Sequence, residues 1–401
     1  MTKWQPGFSL PQHQYIAPEQ FRADVDALGR TQWLLADHES RIPEAGDWFT
    51  LDWADEQILL IRGEDGIIRG FYNVCRHRGS RLCLGASGQA KMLICPYHAW
   101  GYDLQGRLKG APLMPAAFDK SAHNLKPVHV EVYEGLVFVN FAPGEPPAFA
   151  AFTARFDAYF RPFDLKATRI ACRHTIPTAA NWKLVVENFF ECYHCKPSHP
   201  TYCAVHDPLK LLALGAGPGS GAAELVAQYA GKLSAWEAKR SKAGQGTGMW
   251  ADEACTPWLQ SAAHAPINED FQTETLDGRP VGPLLGSLAG FDGGQMAGVF
   301  NVLSTVLINN DHAVLFRIVP RGPLQTDFEV IWLVSPAFDM ADAAALDRLV
   351  EVWSVTAAED KQITEDNQAG VLSAAYQPGP LSAQEARIGD FGRWYQRLLQ
   401  A

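Results

Sequence analysis

Two short segments of this chain each carry one cysteine and one histidine. The first is CRH, beginning at Cys75, and the second is CPYH, beginning at Cys95 and ending at His98. A [2Fe-2S] cluster needs four protein ligands, and two imidazoles in place of two thiolates on one iron make it less negative and raise its reduction potential. The pattern therefore predicts a mixed cluster, with Cys75 and Cys95 on one iron and His77 and His98 on the other.

A structural zinc site with two cysteines and two histidines is the alternative interpretation. Such sites usually group their ligands by type, as Cys-x2–4-Cys followed by His-x3–5-His. Here the two types alternate, which favours a cluster of the Rieske type over zinc. Gly79 and Gly101 follow the two segments, and we expect them to form the tight turns that direct backbone amides at a cluster.

Two further histidines, His194 and His199, lie five residues apart in a segment with a helical pattern. Five residues on an unbroken helix correspond to about 140° beyond a full turn, so the two rings would diverge. Pro197 is expected to end the helix near Cys195, because proline lacks a backbone donor and clashes with the preceding turn. Together with one carboxylate, the two imidazoles would form the facial triad of a non-haem Fe(II), which leaves open positions for oxygen.

A late helix is expected to supply that carboxylate. Leu346, Trp353 and Asp360 are spaced by sevens and therefore share one helical face. A carboxylate on a buried stripe is costly unless it is paired or bound to a metal, which favours Asp360 as the third ligand. Its neighbour Glu359 lies about 100° round the helix and remains the alternative ligand.

The composition limits the classes of function. The chain has 401 residues, of which 47% are hydrophobic and 19% charged, and this indicates a globular protein with two or more cores. The net charge of −10 argues against a nucleic-acid partner. The sequence has no signal-peptide pattern and no membrane-spanning apolar stretch, so we expect a cytoplasmic protein with no membrane partner.

The elements that must position these residues read as α+β. Short strands and turns fill residues 46–145, and the PGEPP stretch at 143–147 marks a boundary. Glycine-rich stretches at 215–223 and 242–248 predict loops. Longer elements are predicted from residue 148 onward. They are helices at 148–160 and 341–368, and strands at 168–176, 299–308, 312–319 and 327–335. The expected fold is a β-rich cluster domain inserted near the N-terminus and an α+β catalytic domain whose antiparallel sheet is flanked by helices.

Four stretches of sequence resemble a known family. NVCRHRGSRLC and ICPYHAWGYDLQGRLKGAP resemble the Rieske domain of the Rieske non-haem iron oxygenases, and NWKLVVENFFECYHCKPSHP and TAAEDKQITEDNQAG resemble their catalytic domain. The resemblance implies a Rieske [2Fe-2S] cluster and a mononuclear non-haem Fe(II), the latter held by His194, His199 and Asp360. It also implies a helical segment at 1–45 that packs on the catalytic domain, a Rieske domain at 46–145 and a catalytic domain at 146–401.

Glu191 precedes His194 by three residues. In the family this position holds the acidic residue that links the Rieske histidine of one subunit to an iron ligand of the next, and it is most often aspartate. Glutamate here resembles the subgroup that acts on quaternary ammonium compounds such as carnitine, glycine betaine, choline and proline betaine, although a neutral replacement would look the same. Asn188 is a further candidate catalytic residue.

The resemblance implies a terminal monooxygenase that uses O2 to hydroxylate an N-methyl group, after which the product loses formaldehyde. An aromatic ring-hydroxylating oxygenase is the alternative within the enzymes, and a Rieske electron-transfer protein without oxygenase activity is the alternative outside them. A quaternary ammonium has no N–H to donate, so aromatic faces should recognise it. Tyr202, Trp250 and Phe300 are the candidate substrate-binding residues.

The chain lacks a C-x4-C-x2-C run and any nucleotide-binding fingerprint. It should therefore depend on a separate NAD(P)H-dependent flavin and iron–sulfur reductase. The family's head-to-tail packing implies a homotrimer, in which Glu191 would connect His98 of one subunit with His194 or His199 of the next.

Overall fold

The computed structural model describes residues 3–214, 223–240, 248–252 and 257–400. The glycine-rich stretches predicted as loops lie, except for their last residues, outside this part of the chain. Two compact units are present: Gly29–Phe149 forms one, and Met1–Leu28 together with Ala150–Ala401 forms the other. Both combine antiparallel sheets with turns or helices, so the predicted α+β class is confirmed.

The smaller unit contains ten strands. A seven-stranded sheet has the order β1-β10-β9-β4-β3-β2-β5, and a three-stranded sheet has the order β6-β7-β8. The strands are β1 (Leu34–His38), β2 (Asp47–Trp53), β3 (Glu56–Arg62), β4 (Ile68–Tyr72), β5 (Ser87–Gln89), β6 (Leu93–Ile94), β7 (Gly101–Tyr102), β8 (Leu108–Gly110), β9 (Pro127–Tyr133) and β10 (Leu136–Asn140).

A two-residue turn joins β9 to β10. Glu134 and Gly135 have φ values of 49° and 78°, which is the left-handed pair that matches the twist of a hairpin. β1 pairs antiparallel with β10, so residues that the sequence analysis placed in the N-terminal segment add a strand to this sheet. The expected boundary at residue 46 therefore lies inside the compact unit.

The larger unit is built on a seven-stranded antiparallel sheet with the order β11-β17-β16-β15-β14-β13-β12. Its strands are β11 (Arg169–Thr178), β12 (Gly248–Ala251), β13 (Ser261–Pro266), β14 (Gly294–Asn301), β15 (Ser304–Ile308), β16 (His312–Gly322) and β17 (Gln325–Val334). The helices of the chain are α1 (Gln12–Ile16), α2 (Pro18–Thr31), α3 (Phe149–Thr153), α4 (Asp157–Phe160), α5 (Trp182–Phe189), α6 (Cys195–Ser198), α7 (Pro200–Val205), α8 (Pro208–Leu214), α9 (Ala223–Arg240), α10 (Ala343–Val371) and α11 (Ala386–Leu398). No helix among the described residues is long and apolar enough to cross a membrane.

Two predicted elements differ from the structure. The strand predicted at 299–308 is the end of β14 and all of β15, because Asn301 Oδ1 accepts hydrogen bonds from Leu303 N and Ser304 Oγ at 2.9 Å each and forms a tight turn. The helix predicted at 148–160 is divided into the short helices α3 and α4.

Helices α5 and α10 pack on the large sheet and on each other. Asn181 begins α5 by accepting a hydrogen bond from Lys183 N at 3.0 Å, and its own amide donates to Gln368 Oε1 of α10 at 2.9 Å. Phe189, at the end of α5, packs against Phe316 of β16 and Trp353 of α10. These contacts bring the segment after α5 next to the middle of α10, where the second set of predicted ligands lies.

Candidate metal centres and active-site cavity

The two Cys/His loops of the smaller unit share one hydrogen-bond pattern. In each loop the cysteine amide donates to the carbonyl five residues later, and the amide four residues later donates to the cysteine carbonyl. The bonds are Cys75 N to Ser80 O (2.8 Å), Gly79 N to Cys75 O (3.1 Å), Cys95 N to Trp100 O (2.8 Å) and Ala99 N to Cys95 O (3.0 Å). The local sequence therefore folds both loops alike, although their histidines occupy different positions.

One residue of each loop has left-handed backbone geometry. Gly79 has a φ of 76° and Ala99 a φ of 55°. The prediction of a turn glycine was correct for Gly79 and wrong for Gly101, which lies in β7 and is not among the residues with positive φ. Ala99 makes the turn instead, at the steric cost that an L-residue has in this region.

The four predicted cluster ligands lie together in the smaller unit. Cys75 and Cys95 are 2% exposed, and burial raises the pKa of the Cys75 thiol. The His77 and His98 rings are partly exposed, with centroids 4.6 Å apart. The buried His77 Nδ1 has no hydrogen-bond partner among the described residues. Two buried thiols and two neighbouring imidazoles, one of which has an Nδ1 atom without a hydrogen-bond partner, fit the ligand set of a metal cluster.

Two aromatic residues support the loops. The Trp100 ring stacks on His77 with centroids 4.7 Å apart and an interplanar angle of 10°. Tyr102 Oη accepts a hydrogen bond from Arg76 N at 3.0 Å and lies 3.4 Å from Cys75 Sγ. Its hydroxyl can thus donate to the sulfur, a contact that tunes the potential of a cluster. Tyr102 could not be predicted from the sequence, because a tyrosine seven residues after a ligand carries no signal of its own.

The second pair of histidines lies after a helix break that the sequence placed wrongly. Helix α5 ends at Phe189 rather than near Cys195, and His194 is the residue before α6. Pro197 lies inside α6 and does not end it, because the N–H groups in the first turn of a helix have no hydrogen-bond acceptor within the helix. The Glu191 carboxylate accepts hydrogen bonds from the amides of Tyr193 and His194 and holds the turn between the two helices.

His194, His199 and Asp360 meet in the larger unit, with one ligand atom of each within 4.8 Å of the others. Asp360 Oδ1 lies 2.9 Å from His199 Nε2 and 3.4 Å from His194 Nε2. His199 Nε2 and Asp360 Oδ1 are both buried and neither has a hydrogen-bond partner among the described residues. Ligand atoms about 2.1 Å from one ion and at right angles to each other lie about 3 Å apart, so the three residues fit a facial set of metal ligands.

The charges around this triad favour a cation. Burial by itself would lower the pKa of His194, but the nearby carboxylates of Asp360 and Glu191 outweigh it and raise the pKa to about 10. Burial would raise the pKa of Asp360, yet the nearby imidazoles of His194 and His199 lower it. An Fe(II) ion at this position would take the place of the protons that the two imidazoles otherwise hold beside the Asp360 carboxylate.

A second carboxylate orients each imidazole. Glu191 Oε1 accepts a hydrogen bond from His194 Nδ1, and Glu359 Oε2 accepts one from His199 Nδ1 at 2.9 Å. In both rings this leaves Nε2 directed at Asp360, which is the usual arrangement of metal-ligating histidines. The geometry therefore gives Asp360 and Glu359, adjacent on α10, different places: Asp360 lies among the Nε2 atoms and Glu359 lies behind His199.

A cavity of about 330 Å³ opens on the triad. Of the three predicted substrate-binding residues, Tyr202 and Trp250 line it. Phe300 does not belong to this lining: it is fully buried and packs against Phe156 and Phe160. Side chains alternate along β14, so its neighbour Val299 faces the cavity instead.

Asn188 also lines the cavity, and its Nδ2 lies 3.4 Å from His194 Nε2. The sequence analysis missed several other lining residues, which are Phe189, Phe190, Thr305, Trp353 and Arg387. For Trp353 a signal was present, since it shares the heptad stripe of Asp360. For Arg387 there was none, because only the packing of the C-terminal helix α11 brings it to the cavity.

Comparisons with known proteins agree with this geometry. Residues 165–401 match the family described as the ring hydroxylating alpha subunit (catalytic domain), and residues 32–134 match the Rieske [2Fe-2S] domain. The chain is 36% identical to the glycine betaine monooxygenase oxygenase subunit of Chromohalobacter salexigens, over 96% of this chain and 85% of that protein. It is also 36% identical to the carnitine monooxygenase oxygenase subunit of Escherichia coli K12, over 49% of this chain and 54% of that protein.

A solved structure of a quaternary ammonium Rieske monooxygenase, described in connection with carnitine oxidation and inter-subunit electron transfer, superposes with a TM-score of 0.69. The two chains are 23% identical over 98% of this chain and 94% of the other. This likeness shows the shared fold.

Proposed function

The chain belongs to the Rieske ring-hydroxylating oxygenase family, and on that premise we propose that it is the terminal oxygenase of a multi-component system that hydroxylates an N-methyl group of a small quaternary ammonium compound. As a Rieske non-haem iron oxygenase it carries a Rieske [2Fe-2S] cluster and a mononuclear iron, and the zinc interpretation no longer applies. The observation that carries the proposed substrate class is the 36% identity to a glycine betaine monooxygenase subunit along nearly the whole chain.

Cys75, His77, Cys95 and His98 would hold the cluster, and His194, His199 and Asp360 the mononuclear iron. When bound, this iron supplies the activation of O2. The carboxylates of Glu191 and Glu359 fix the two imidazoles through their Nδ1 atoms, so that no ring has to reorient when the metal binds.

The overall reaction balances with two electrons and two protons. One oxygen atom enters a C–H bond of the N-methyl group, and the other leaves as water. The resulting N-hydroxymethyl ammonium breaks its N–C bond, and the products are formaldehyde, a tertiary amine and one proton.

The cavity suits a compact cation without N–H groups. Its wall includes the aromatic side chains of Phe189, Tyr202 and Trp353, whose ring faces attract a quaternary ammonium without needing a hydrogen bond. Alanine residues of β13 and β14, among them Ala263 and Ala297, line the remainder. An aromatic ring hydroxylase is the rival function, because the same apolar wall would also accept an arene.

Product analysis separates these two functions. The purified oxygenase, supplied with a compatible reductase, NADH and O2, is incubated with glycine betaine, carnitine, choline or naphthalene. We expect formaldehyde in amounts equal to the tertiary amine from at least one quaternary ammonium compound, and no diol from naphthalene. Diol formation without any formaldehyde would show that the substrate class is wrong.

The electrons should come from a separate NAD(P)H-dependent reductase that contains flavin and an iron–sulfur cluster. The sequence offers no nucleotide-binding fingerprint that would let this chain accept hydride by itself. Oxidation of NADH by the isolated chain, in step with product formation, would contradict this part of the proposal.

We further propose that the active unit is a cyclic homotrimer in which electrons pass between subunits. The quaternary ammonium monooxygenase of similar fold is described with inter-subunit electron transfer. In this chain the Glu191 carboxylate already binds His194 Nδ1, and a second bond from His98 of a neighbouring subunit would join the two centres. A head-to-tail contact of this kind closes into a ring.

Mixed trimers test this route. Cys75→Ala chains lack the cluster and His194→Ala chains lack the mononuclear iron, so each parent should be inactive. Co-expressed chains should regain partial activity, because some interfaces join an intact cluster to an intact iron site. Absence of activity in trimers shown to contain both chains would exclude electron transfer between subunits.

A further inference from the structure

The active-site cavity has a cationic residue that the reaction as proposed does not use. Arg387, in the first turn of α11, is the only Lys or Arg among the described residues that line it. The acidic residues of the same lining are Glu191 and Asp360, and both are engaged with the histidines of the metal site. The cavity therefore has a metal-binding region and, elsewhere in its wall, a guanidinium.

Arg387 is held in place by backbone carbonyls rather than by a strong ion pair. Its Nη2 donates to Leu259 O at 3.1 Å and to Gln260 O at 3.5 Å, just before β13. The carboxylate oxygen Asp390 Oδ2 lies 3.8 Å from Nη1, which is an ion pair longer than a hydrogen bond. Asp390 also accepts a hydrogen bond from Arg393.

The charge of Arg387 is thus only partly compensated. Burial lowers the pKa of its guanidinium, and Asp390 and Asp252 offset a part of that effect. A partly buried guanidinium that has only a long ion pair with Asp390 and a distant contact with the Phe190 ring carries a desolvation cost that these contacts offset in part. An anionic group that enters the cavity would remove this cost and could use the fork of N–H donors that guanidinium offers.

We propose that Arg387 binds the carboxylate of the substrate, so that the preferred quaternary ammonium compounds are zwitterionic betaines and not cations such as choline. This inference rests on the proposed function and names the substrate class within it. With the carboxylate on Arg387, the trimethylammonium group lies against the aromatic wall and one N-methyl group is directed toward the triad. A substrate without the carboxylate would leave the guanidinium unpaired, and it would lose the contact that sets its orientation.

Direct binding measurements on the iron-loaded protein test the proposal. Calorimetric Kd values for glycine betaine and for choline are compared in the wild type and in Arg387→Gln, Arg387→Lys and Arg397→Gln. In Arg387→Gln we expect the Kd for glycine betaine to rise about 10- to 100-fold, as for the loss of a hydrogen bond between charged groups. The Kd for choline should not rise, because choline has no partner for the guanidinium and the variant removes a like charge from the wall.

Two variants serve as controls. Arg387→Lys retains the positive charge but not the fork, so it should recover a part of the affinity for glycine betaine. Arg397→Gln removes an exposed arginine near the end of the same helix, and it should leave both Kd values unchanged. Cluster absorbance and iron content, measured in all four proteins, show whether the fold is intact.

The outcomes are distinct. A selective loss of glycine betaine binding in Arg387→Gln supports the proposal. Equal losses for glycine betaine and choline, or no loss for either, would overturn it while leaving the proposed function in place. If the wild type binds neither compound and releases no formaldehyde from any quaternary ammonium compound, the proposed function itself fails.

Discussion

The two metal regions of this chain are built at very different ranges of sequence. In the smaller unit, both Cys/His loops lie between residues 75 and 98, and each is closed by its own backbone hydrogen bonds. In the larger unit, His194 and His199 follow α5, whereas Asp360 lies in the middle of α10. One site is therefore made by local loop geometry, and the other exists only when a helix and a distant turn have packed together.

The two regions also differ in how their ligands are protected. Cys75 and Cys95 lie in a hydrophobic cluster and are 2% exposed. The triad borders a cavity, and its orientation depends on the carboxylates of Glu191 and Glu359. We therefore expect the mononuclear site to be the more easily damaged of the two, and the effects of the following changes should decrease in the order given.

Asp360→Ala should have the largest effect. It removes the one carboxylate that reaches both Nε2 atoms, and the metal contributes several kcal/mol to catalysis, which corresponds to a loss of about 1,000-fold or more in kcat. Mononuclear iron should be lost while the visible absorption of the cluster persists. Loss of the cluster absorption as well would show that the two sites are not independent.

Chelation should distinguish the sites without a mutation. Because the cavity gives access to the triad, a chelator of Fe(II) should remove the mononuclear iron and nearly all activity, and leave two irons per chain in the cluster. Added Fe(II) should restore turnover. Iron analysis and cluster absorbance measure the loss of iron from each site. Equal rates of loss would contradict the expected difference in protection between the cluster and the triad.

Glu191→Gln should come next. The amide keeps the size of the side chain but loses the negative charge of the carboxylate that accepts a hydrogen bond from His194 Nδ1. Loss of such a supporting carboxylate lowers metal affinity or activity about 10- to 100-fold. Both metals should remain bound, while the rate of coupled turnover falls. Unchanged turnover at full metal content would exclude a role in positioning or in electron transfer.

Glu359→Gln should have a smaller effect, since His199 is also fixed by its burial. The variant weakens the hydrogen bond from His199 Nδ1, and we expect the affinity for Fe(II) to fall about 10-fold. Iron titration of the chelated protein measures this. Glu351→Gln, at an exposed position of the same helix, is the matched control and should bind iron like the wild type.

The smallest effects concern the two left-handed residues of the cluster loops. Gly79→Ala should lower the free energy of unfolding by about 1 kcal/mol, because an L-residue is strained at a φ of 76°. Ala99→Gly relieves a similar strain but increases the conformational entropy of the unfolded chain. Its effect on the free energy of unfolding should therefore be smaller and of opposite sign. Thermal midpoints followed by cluster absorbance provide the comparison, and equal shifts in one direction would contradict it.

Much of this architecture could be predicted from the chain alone. The alternation of Cys and His in two short loops indicated the cluster, and the heptad of Leu346, Trp353 and Asp360 indicated which face of α10 is buried. The end of α5 was predicted at the wrong residue. The Glu191 carboxylate accepts hydrogen bonds from the amides of Tyr193 and His194, so the chain turns before it reaches Pro197.

Other features depended on which parts of the chain meet. The sequence could not place Phe300 in a core cluster, nor separate the role of Glu359 from that of Asp360, because a change of one position in a strand or helix alters the direction of a side chain. It gave no indication of Arg387, which reaches the cavity only through the packing of α11. What the sequence by itself determined are the ligand types and the local loops, since these depend on neighbours along the chain. What the tertiary structure alone decided are the triad and the lining of the cavity, since their members come from elements far apart in sequence.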